Sequence, residues 1–322
     1  MPDNPRPRIG VVLEAFVDQP LAEVLAWLRQ AAPEITHIEV GAGGYAPHPH
    51  CDVTGLLASG QARSAWLDRI GRSRFAVDAL NAWGNPLHPD PDLAARHDTD
   101  LRNAIRLATL LGVDRVVAMA GCPAALPGDR APHFGAGGWL PYLEGVYEQQ
   151  WQRQVAPYWS ELAAFARAEN PGLLVCLELH PGTAAFNVET FERVASLGPS
   201  IAANLDPSHF FWMGMDGHQV AARLAALVGH AHGKDLVFHP ENLALNGLLD
   251  RRWPDPPGQM PWTFAVPGQG HDLDWWAGLV RALAQSRMKV ISIEHEDPFV
   301  PARTGVPAAA RLLAAAITAA CQ

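Results

Sequence analysis

Short runs of aliphatic and β-branched residues recur eight times along the 322-residue chain, separated by segments with the apolar spacing of helices. The predicted strands lie near residues 8–15, 36–41, 74–83, 114–120, 173–179, 200–205, 228–233 and 289–295. Eight alternating strand and helix units are typical of a (β/α)8 TIM barrel, which commonly exceeds about 250 residues as one unit. We therefore predict an α/β fold with one barrel domain over residues 1–322.

A doubly wound open sheet is the competing architecture, because strands and helices alternate in both folds. Acidic and imidazole side chains follow the last four predicted strands. In an open sheet these groups would lie in a row along the edge formed by the carboxyl ends of the strands. In a closed barrel the carboxyl ends of the strands converge on one face, where active sites are built, so the pattern favours the barrel.

Two connections are too long to be simple turns. Residues 121–143, after the fourth strand, contain four prolines and five glycines. Residues 236–272, after the seventh strand, contain several aromatic residues and a Pro-Pro pair. Long ordered loops in compact domains usually form lids or binding loops. We therefore expect long βα loops after strands four and seven, both on the catalytic face.

The groups at the four strand ends indicate a bound cation. They are Glu178, Asp206, His230 with His232, and Glu294. An ionised carboxylate on the inner face of a buried strand costs several kcal/mol unless it is paired or coordinates a cation. Lys234 is the one clear basic candidate nearby, and no equally obvious set of lysines or arginines neutralises the acids. The pattern predicts a cation that is supplied from solution.

Composition narrows the range of partners. The net charge of −9 argues against a nucleic-acid-binding surface, which normally carries a basic excess. The four cysteines lack CxxC spacing, so no disulfide framework is indicated. The first residues lack the apolar core of a secretory signal, and no stretch reaches the roughly 18 apolar residues of a membrane span. We expect a cytoplasmic protein without nucleic-acid or membrane partners.

Several segments resemble the sugar phosphate isomerase/epimerase group of the xylose-isomerase-like TIM-barrel superfamily. They are residues 84–90 (GNPLHPD), 178–181 (ELHP), 204–216 (NLDPSHFFWMGMD), 230–235 (HAHGKD), 246–247 (NG), 267–271 (PGQGH) and 292–298 (SIEHEDP). The resemblance spans most of the chain. It is specific for the superfamily and weak for the substrate.

This resemblance implies that Glu178, Asp206, His232 and Glu294 bind one divalent cation. The strand-end pattern agrees on the three acids. His230 shares a strand face with His232, but His232 lies closer to the C-terminal rim and is therefore preferred. Three carboxylates and one imidazole form a mostly hard ligand set, which ranks Mn²⁺ first and leaves Mg²⁺, Co²⁺ and Zn²⁺ open.

The resemblance to keto-sugar epimerases also implies that Glu178 and Glu294 transfer the proton. We predict a metal-dependent isomerase or epimerase that acts on a sugar, keto-sugar or inositol-like polyol by proton abstraction next to a carbonyl. A metal-dependent lyase or dehydratase, inosose dehydratase-like or 3-keto-glycoside-cleaving, shares this first step and is the alternative. A hydrolytic endonuclease of the same superfamily would need a basic groove, which is not apparent.

Further residues are predicted to act at the same site. His209, three residues after Asp206, is predicted to be catalytic, and His180, His209 and His295 are alternative bases. The predicted substrate-binding residues are Glu39, His88, His180, Lys234 and His271. An ion pair with Asp235 or with a strand-end acid is an equal interpretation of Lys234.

The expected partner is a small-molecule carbohydrate. No glycine-rich phosphate loop stands out after strands seven and eight, which favours an unphosphorylated substrate. A homo-oligomer, either a dimer or a tetramer, follows from the resemblance alone.

Overall fold

Ten strands are present in the computed structural model, which describes residues 6–45, 47–135, 141–249 and 257–322. They are β1 Arg8–Val12, β2 Ile35–Gly41, β3 Ala76–Asn81, β4 Arg115–Met119, β5 Leu174–Glu178, β6 Ile201–Leu205, β7 Val228–Gly233, β8 Asp235–Phe238, β9 Trp262–Ala265 and β10 Val290–Ile293. All eight predicted strands are confirmed, with ends that differ by a few residues.

Eight of these strands form a closed barrel in the order β1-β10-β7-β6-β5-β4-β3-β2. Neighbouring strands pair in parallel, for example Ser292 of β10 with His232 of β7 and Val12 of β1 with Glu39 of β2. A closed barrel has no sheet edge, so the doubly wound alternative is wrong. The predicted TIM-barrel class is confirmed.

Helices separate the barrel strands. They are α1 Leu21–Ala31, α2 Val53–Ala58, α3 Gly60–Arg72, α4 Pro91–Leu111, α5 Val146–Gln150, α6 Ala156–Glu169, α7 Val188–Ala195, α8 Ser208–Trp212, α9 Gly217–Leu224, α10 Pro240–Asn246, α11 Leu273–Ala282 and α12 Ala302–Ala320. None of the described helices is both long and apolar enough to cross a membrane.

Residue contacts divide the chain into two compact units. Unit 1 comprises Met1–Glu39, Arg69–Ala76 and Leu205–Gln322, and unit 2 comprises Val40–Asp68 and Val77–Asn204. Unit 1 contains β1, most of β2, the last residue of β6, β7 and β10, with the second sheet. Unit 2 contains the end of β2, β3 except for its first residue, β4, β5 and most of β6. The assignment of residues 1–322 to one domain stays a prediction.

The long connection after β7 is confirmed, but it is not a plain loop. Its described part contains the antiparallel pair β8 and β9, with Asp235 opposite Ala265 and Phe238 opposite Trp262. Helix α10 lies between these two strands. A single residue, Lys234, separates β7 from β8, so the sequence shows one continuous run and hides the second strand. Residues 250–256 of this connection lie outside the described residues.

The barrel strands of unit 1 are buried on both faces, as parallel barrel strands generally are. Ionisable residues are nevertheless present among the aliphatic ones at their ends. In unit 1, Glu39, Asp206, His230 and His232 are all 0% exposed, and Lys234 is 2% exposed. Buried charges of this kind must be paired or must bind a ligand.

The carboxylate of Asp235 fastens the segment that follows β9. Its Oδ2 accepts hydrogen bonds from the backbone N–H groups of Gly268 (3.0 Å), Gly270 (3.1 Å) and His271 (3.0 Å). Its Oδ1 accepts from the backbone N–H of Leu236 (2.8 Å) and lies 2.7 Å from Nδ1 of His271. A Cβ at Gly270 would overlap the carbonyl of Leu236, so the chain needs glycine at this close approach.

We predict that Asp235→Ala lowers the free energy of unfolding by about 3 kcal/mol or more, because several donors lose a charged acceptor. Urea unfolding followed by circular dichroism measures this loss. The matched control is Asp18→Ala, an exposed position that should stay within about 0.5 kcal/mol of wild type. Equal stability of the two variants would contradict the assigned role of Asp235.

Candidate metal centre

Three of the predicted ligands meet within unit 1. Asp206 follows β6, His232 lies near the end of β7, and Glu294 follows β10. Each offers a ligand atom, and these atoms lie within 4.8 Å of one another. Asp206 and His232 are fully buried and Glu294 is 7% exposed. Parallel strands deliver these residues together because their carboxyl ends share one rim.

Glu178, the other predicted ligand, is the last residue of β5 in unit 2. Its side chain is 1% exposed, and its Oε2 accepts a hydrogen bond of 3.1 Å from Nδ2 of Asn204. In the parallel pairing of β5 with β6, Glu178 lies opposite Asn204. The contact with an amide donor is compatible with an ionised carboxylate. Its role as a metal ligand stays a prediction.

Lys234 supplies positive charge to the unit 1 cluster. Its Nζ lies 3.0 Å from Oδ2 of Asp206, 2.6 Å from Oε2 of Glu294 and 2.8 Å from Oε2 of Glu296. It also lies 4.4 Å from the ring centroid of Phe264, in a cation–π contact. Of the interpretations made from the sequence, pairing with strand-end acids is the one whose contacts are present. A contact with substrate stays a prediction.

The pKa of Asp206 reflects this pairing. Burial favours the neutral acid, but the charge of Lys234, with His209 and His232, outweighs burial and lowers the pKa of Asp206 below its ordinary range. Asp206 is therefore a carboxylate at neutral pH. Its Oδ1 also accepts a hydrogen bond of 2.9 Å from the backbone N–H of Ser208.

Glu39 holds the two histidines of β7. Its Oε2 lies 2.8 Å from Nε2 of His230 and 3.2 Å from Nε2 of His232. Nδ1 of His232 lies 3.1 Å from Oε2 of Glu294, on the other side of the ring. Burial opposes a charge on His232, but Glu39 and Glu294 outweigh it and raise its pKa well above the ordinary value. These contacts are of the kind that orient imidazoles, and the predicted binding of substrate by Glu39 stays a prediction.

A pocket of about 150 Å³ opens beside Glu294. Val12, Glu14, Ala15, His295 and Glu296 line it together with Glu294. Glu14 lies in the 3₁₀ turn Leu13–Phe16 that follows β1. Partial burial, and then the charges of Glu294, Glu296 and Glu39, raise the pKa of Glu14 to about 7. The pocket therefore presents an acidic wall next to the cluster.

His209 lies at the start of α8 and is 1% exposed. Its Nε2 lies 3.4 Å from Oδ2 of Asp206, and its ring meets Phe264 edge-on at 5.6 Å. Burial outweighs the attraction of Asp206 and lowers the pKa of His209 to about 4. The imidazole is therefore neutral at pH 7. Its predicted catalytic role is untested, and its position beside Asp206 is compatible with it.

The remaining predicted substrate-binding residues, His88, His180 and His271, each have their own contacts. Nδ1 of His180, just after β5, lies 2.5 Å from the carbonyl oxygen of Pro181. Nδ1 of His88 accepts a hydrogen bond of 2.9 Å from the backbone N–H of Asp90. The ring of His271 stacks on Phe211 with centroids 3.7 Å apart. Substrate contact by these histidines stays a prediction.

The sequence argument assigned no role to Glu14 and Glu296, which line the pocket beside Glu294, or to Asn204, which contacts Glu178. Glu14 was hidden inside a predicted strand that extended to residue 15, although the strand ends at Val12. Glu296 was quoted in a motif without a role, yet it contacts Lys234. Asn204 was also only part of a motif. Its position two residues before Asp206, on the same strand face, was the available signal.

The donor set suits a divalent cation. Oδ2 of Asp206 and Oε2 of Glu294 are buried, and among the described residues neither has a hydrogen-bond partner of good geometry. Both depend on the positive charges of Lys234 and of His232. Carboxylate oxygens and an imidazole nitrogen are ligands of Mn²⁺, Mg²⁺, Co²⁺ and Zn²⁺. The contact between Glu39 and Nε2 of His232 leaves Nδ1 directed at the acids, as second-sphere carboxylates do for metal-bound histidines.

The chain matches the model of the family described as xylose isomerase-like TIM barrel over residues 39–316. This protein therefore belongs to the xylose isomerase-like TIM barrel family, which confirms the resemblance noted in its sequence. A relative in Bacillus subtilis (strain 168), described as the uncharacterized protein YfiH, is 32% identical over 303 residues. The match covers 93% of this chain and 96% of the relative.

Solved structures share the fold at low sequence identity. The probable 3-DHS dehydratase AsbF of Bacillus anthracis is 14% identical with a TM-score of 0.64, and the match covers 95% of this chain and 98% of that one. A xylose isomerase-like TIM barrel protein of Mycobacterium smegmatis in complex with magnesium is 14% identical with a TM-score of 0.64, over 98% and 97% of the chains. An L-ribulose 3-epimerase is 15% identical with a TM-score of 0.57, over 96% of each chain.

Proposed function

We propose that this protein is a divalent-metal-dependent isomerase or epimerase that acts on a sugar, keto-sugar or inositol-like polyol by removing a proton next to a carbonyl group. The observation that carries this proposal is the buried cluster of Asp206, His232 and Glu294 at the ends of three barrel strands. Such a cluster at the catalytic end of a barrel is costly without a ligand. The epimerase and the magnesium-bound protein among the solved structures support the same class of chemistry.

We assign Glu178, Asp206, His232 and Glu294 as the ligands of one divalent cation, with Mn²⁺ as the first choice. The pairing of β5 with β6 supports the inclusion of Glu178, because it lies opposite Asn204, two residues before Asp206. A bound cation would supply Lewis-acid stabilisation and a template for two vicinal substrate oxygens. His232 would give up its proton to take part, so binding should be coupled to proton release.

Glu294 and Glu178 are our candidates for the acid–base pair. Glu294 lines the pocket and retains slight solvent exposure, so a substrate carbon can approach its carboxylate. Glu178 keeps one oxygen on the amide of Asn204, which holds the carboxylate in a fixed orientation. A carboxylate can take the proton from the carbon next to the carbonyl and return it on either face. Return at the same carbon with inversion gives epimerisation, and return at the neighbouring carbon gives isomerisation.

The contacts of the histidines fix which ring nitrogen of each is available to accept a proton. Nε2 of His295 lies 2.7 Å from the carbonyl oxygen of Val300, and Nδ1 of His180 is next to the carbonyl oxygen of Pro181. A ring nitrogen facing a carbonyl carries the proton and is a donor, which leaves Nδ1 of His295 and Nε2 of His180 as the acceptors. We keep the glutamates as the first candidates for the base and these histidines as the alternatives. His209 is a neutral imidazole in a dry environment beside Asp206. We assign it the role of positioning a substrate hydroxyl.

A lyase that expels a β-oxygen substituent after the same proton abstraction is the second candidate. One observation favours it: an aromatic wall extends from Lys234 through Phe264 and Trp262, and Trp262 stacks on the partly exposed Trp212 at 5.0 Å and 11°. Trp262 and Phe264 are buried, so the partly exposed Trp212 is the member of this wall that offers a ring to a second sugar or an aglycone. Product mass separates the two reactions, since isomerisation conserves mass and elimination does not.

Metal content is the first prediction. Wild-type protein dialysed after loading with Mn²⁺ should carry about one ion per chain, because the buried acids then have a charge partner. Asp206→Asn should lose most of this metal, as measured by inductively coupled plasma mass spectrometry. Glu23→Gln, an exposed change on α1, is the control and should retain it. Metal-free wild type, or a fully loaded Asp206→Asn variant, would count against the site.

Solvent exchange tests the chemical step. Incubation of the Mn²⁺-loaded protein in D₂O with a panel of ketoses, inososes and 3-keto-glycosides should put deuterium on the carbon next to the carbonyl of at least one compound, because enolisation precedes both candidate outcomes. Proton NMR follows the exchange, and mass spectrometry identifies the products. If the metal-loaded protein promotes deuterium uptake in none of these compounds, the proposed reaction class loses its support.

The Glu294→Gln variant tests whether Glu294 or His209 is the base. Glutamine cannot accept the proton, so exchange should slow by about 10²- to 10⁴-fold. Little change in the far-ultraviolet circular dichroism is expected, because Glu294 is a rim residue. His209→Gln, the comparison variant, should keep more activity than Glu294→Gln. The opposite order would transfer the role of base to the histidine.

A further inference from the structure

Lys234 has an unusual position for a lysine. It is the single residue between β7 and β8, and only 2% of its side chain is exposed. Its ammonium group contacts three carboxylates at 2.6 to 3.0 Å, from Asp206, Glu294 and Glu296. Two of these acids belong to the cluster, and the third is the rim residue Glu296, whose side chain is 47% exposed.

The ammonium and a metal ion would compete for the same oxygens. Nζ lies closest to Oε2 of Glu294 and also within ion-pair distance of Oδ2 of Asp206, the two buried oxygens that lack well-aligned hydrogen bonds among the described residues. A divalent cation on these carboxylates would repel the ammonium strongly at such short range in a buried setting. Lys234 cannot keep all three contacts when the ion is present.

Glu296 gives the ammonium an alternative partner. It is two residues beyond Glu294, and its carboxylate is already 2.8 Å from Nζ. Because half of its side chain is in solvent, Glu296 has room to move with the lysine toward the rim. The ring of Phe264, whose centroid is 4.4 Å from Nζ, would still face the ammonium after a small shift.

We propose that Lys234 is an internal competitor of the metal ion, which neutralises Asp206 and Glu294 in the metal-free protein and withdraws toward Glu296 when the ion binds. This inference rests on the proposed metal site and concerns the affinity of that site. Lys234 thereby stabilises the metal-free protein and weakens its affinity for the metal ion. Glu296 reduces this loss of affinity, because it accepts the displaced ammonium.

The proposal predicts opposite effects for the two residues. Lys234→Met removes the competitor, so Mn²⁺ should bind about tenfold tighter or more, while the metal-free protein becomes less stable because its acids lose their partner. Glu296→Gln removes the alternative partner, so the lysine stays on the two acids and Mn²⁺ should bind about threefold weaker or more. In the Lys234→Met background, Glu296→Gln should weaken Mn²⁺ binding by less than about twofold, since no ammonium needs a new partner.

The experiment is a double-mutant cycle of Mn²⁺ affinity. Metal-free wild type, Lys234→Met, Glu296→Gln and the double variant are titrated with MnCl₂ by isothermal titration calorimetry, and thermal unfolding is recorded with and without saturating Mn²⁺. Glu14→Gln is the matched control, because it removes a carboxylate from the same pocket wall. Glu296→Gln should weaken binding more than this control when Lys234 is present, and its own effect should fall below about twofold in the double variant. The thermal midpoint of Lys234→Met should be lowered without metal and restored by Mn²⁺.

The outcomes separate this inference from the proposed function. If wild type binds no Mn²⁺, the metal site itself is overturned. If wild type binds Mn²⁺ but Lys234→Met binds it equally or more weakly, only the competitor role is overturned. Should Lys234→Met fail to fold, the comparison of Glu296→Gln with Glu14→Gln decides: a larger loss for Glu296→Gln supports the proposal, and equal losses overturn it.

Discussion

The balance of charge at the end of the barrel is the constraint on which the rest of the structure depends. Parallel strands bring Asp206, His232 and Glu294 to one buried place, where carboxylates lose the solvation that water would give them. The protein meets this cost with the ammonium of Lys234 and with an imidazole that Glu39 and Glu294 keep protonated. These positive charges offset part of the cost in the metal-free protein, and we propose that a divalent cation replaces them.

The second sheet and the segment after β9 follow from the same constraint. Lys234 is held between β7 and β8, so the start of the hairpin fixes the position of its side chain. Asp235, the next residue, fastens the following segment through three backbone N–H groups. Phe264 of β9 then covers the ammonium on one side. Two adjacent residues therefore have complementary roles: Lys234 neutralises the acids of the cluster, and Asp235 anchors the segment after β9.

Sequence reasoning recovered the barrel and much of the cluster for identifiable reasons. Buried parallel strands give short apolar runs that are easily recognised, and Asp206 and Glu294 follow directly after such runs. The pairing of Glu39 with His230 and His232 was not predicted, because 191 and 193 residues separate these partners and no local pattern reports such a contact. Glu14 was missed since its 3₁₀ turn continues an apolar run without a break. The second sheet escaped because only Lys234 separates β8 from β7, so the sequence shows one continuous run there.

The most direct test of the metal centre is anomalous diffraction from crystals soaked in MnCl₂, recorded on both sides of the manganese absorption edge. Our account predicts one strong anomalous peak within roughly 2.0–2.4 Å of oxygens of Glu178, Asp206 and Glu294 and of a nitrogen of His232. It also predicts that the Lys234 ammonium has left the two inner acids. A peak elsewhere, or no peak with Lys234 still bridging Asp206 and Glu294, would contradict it.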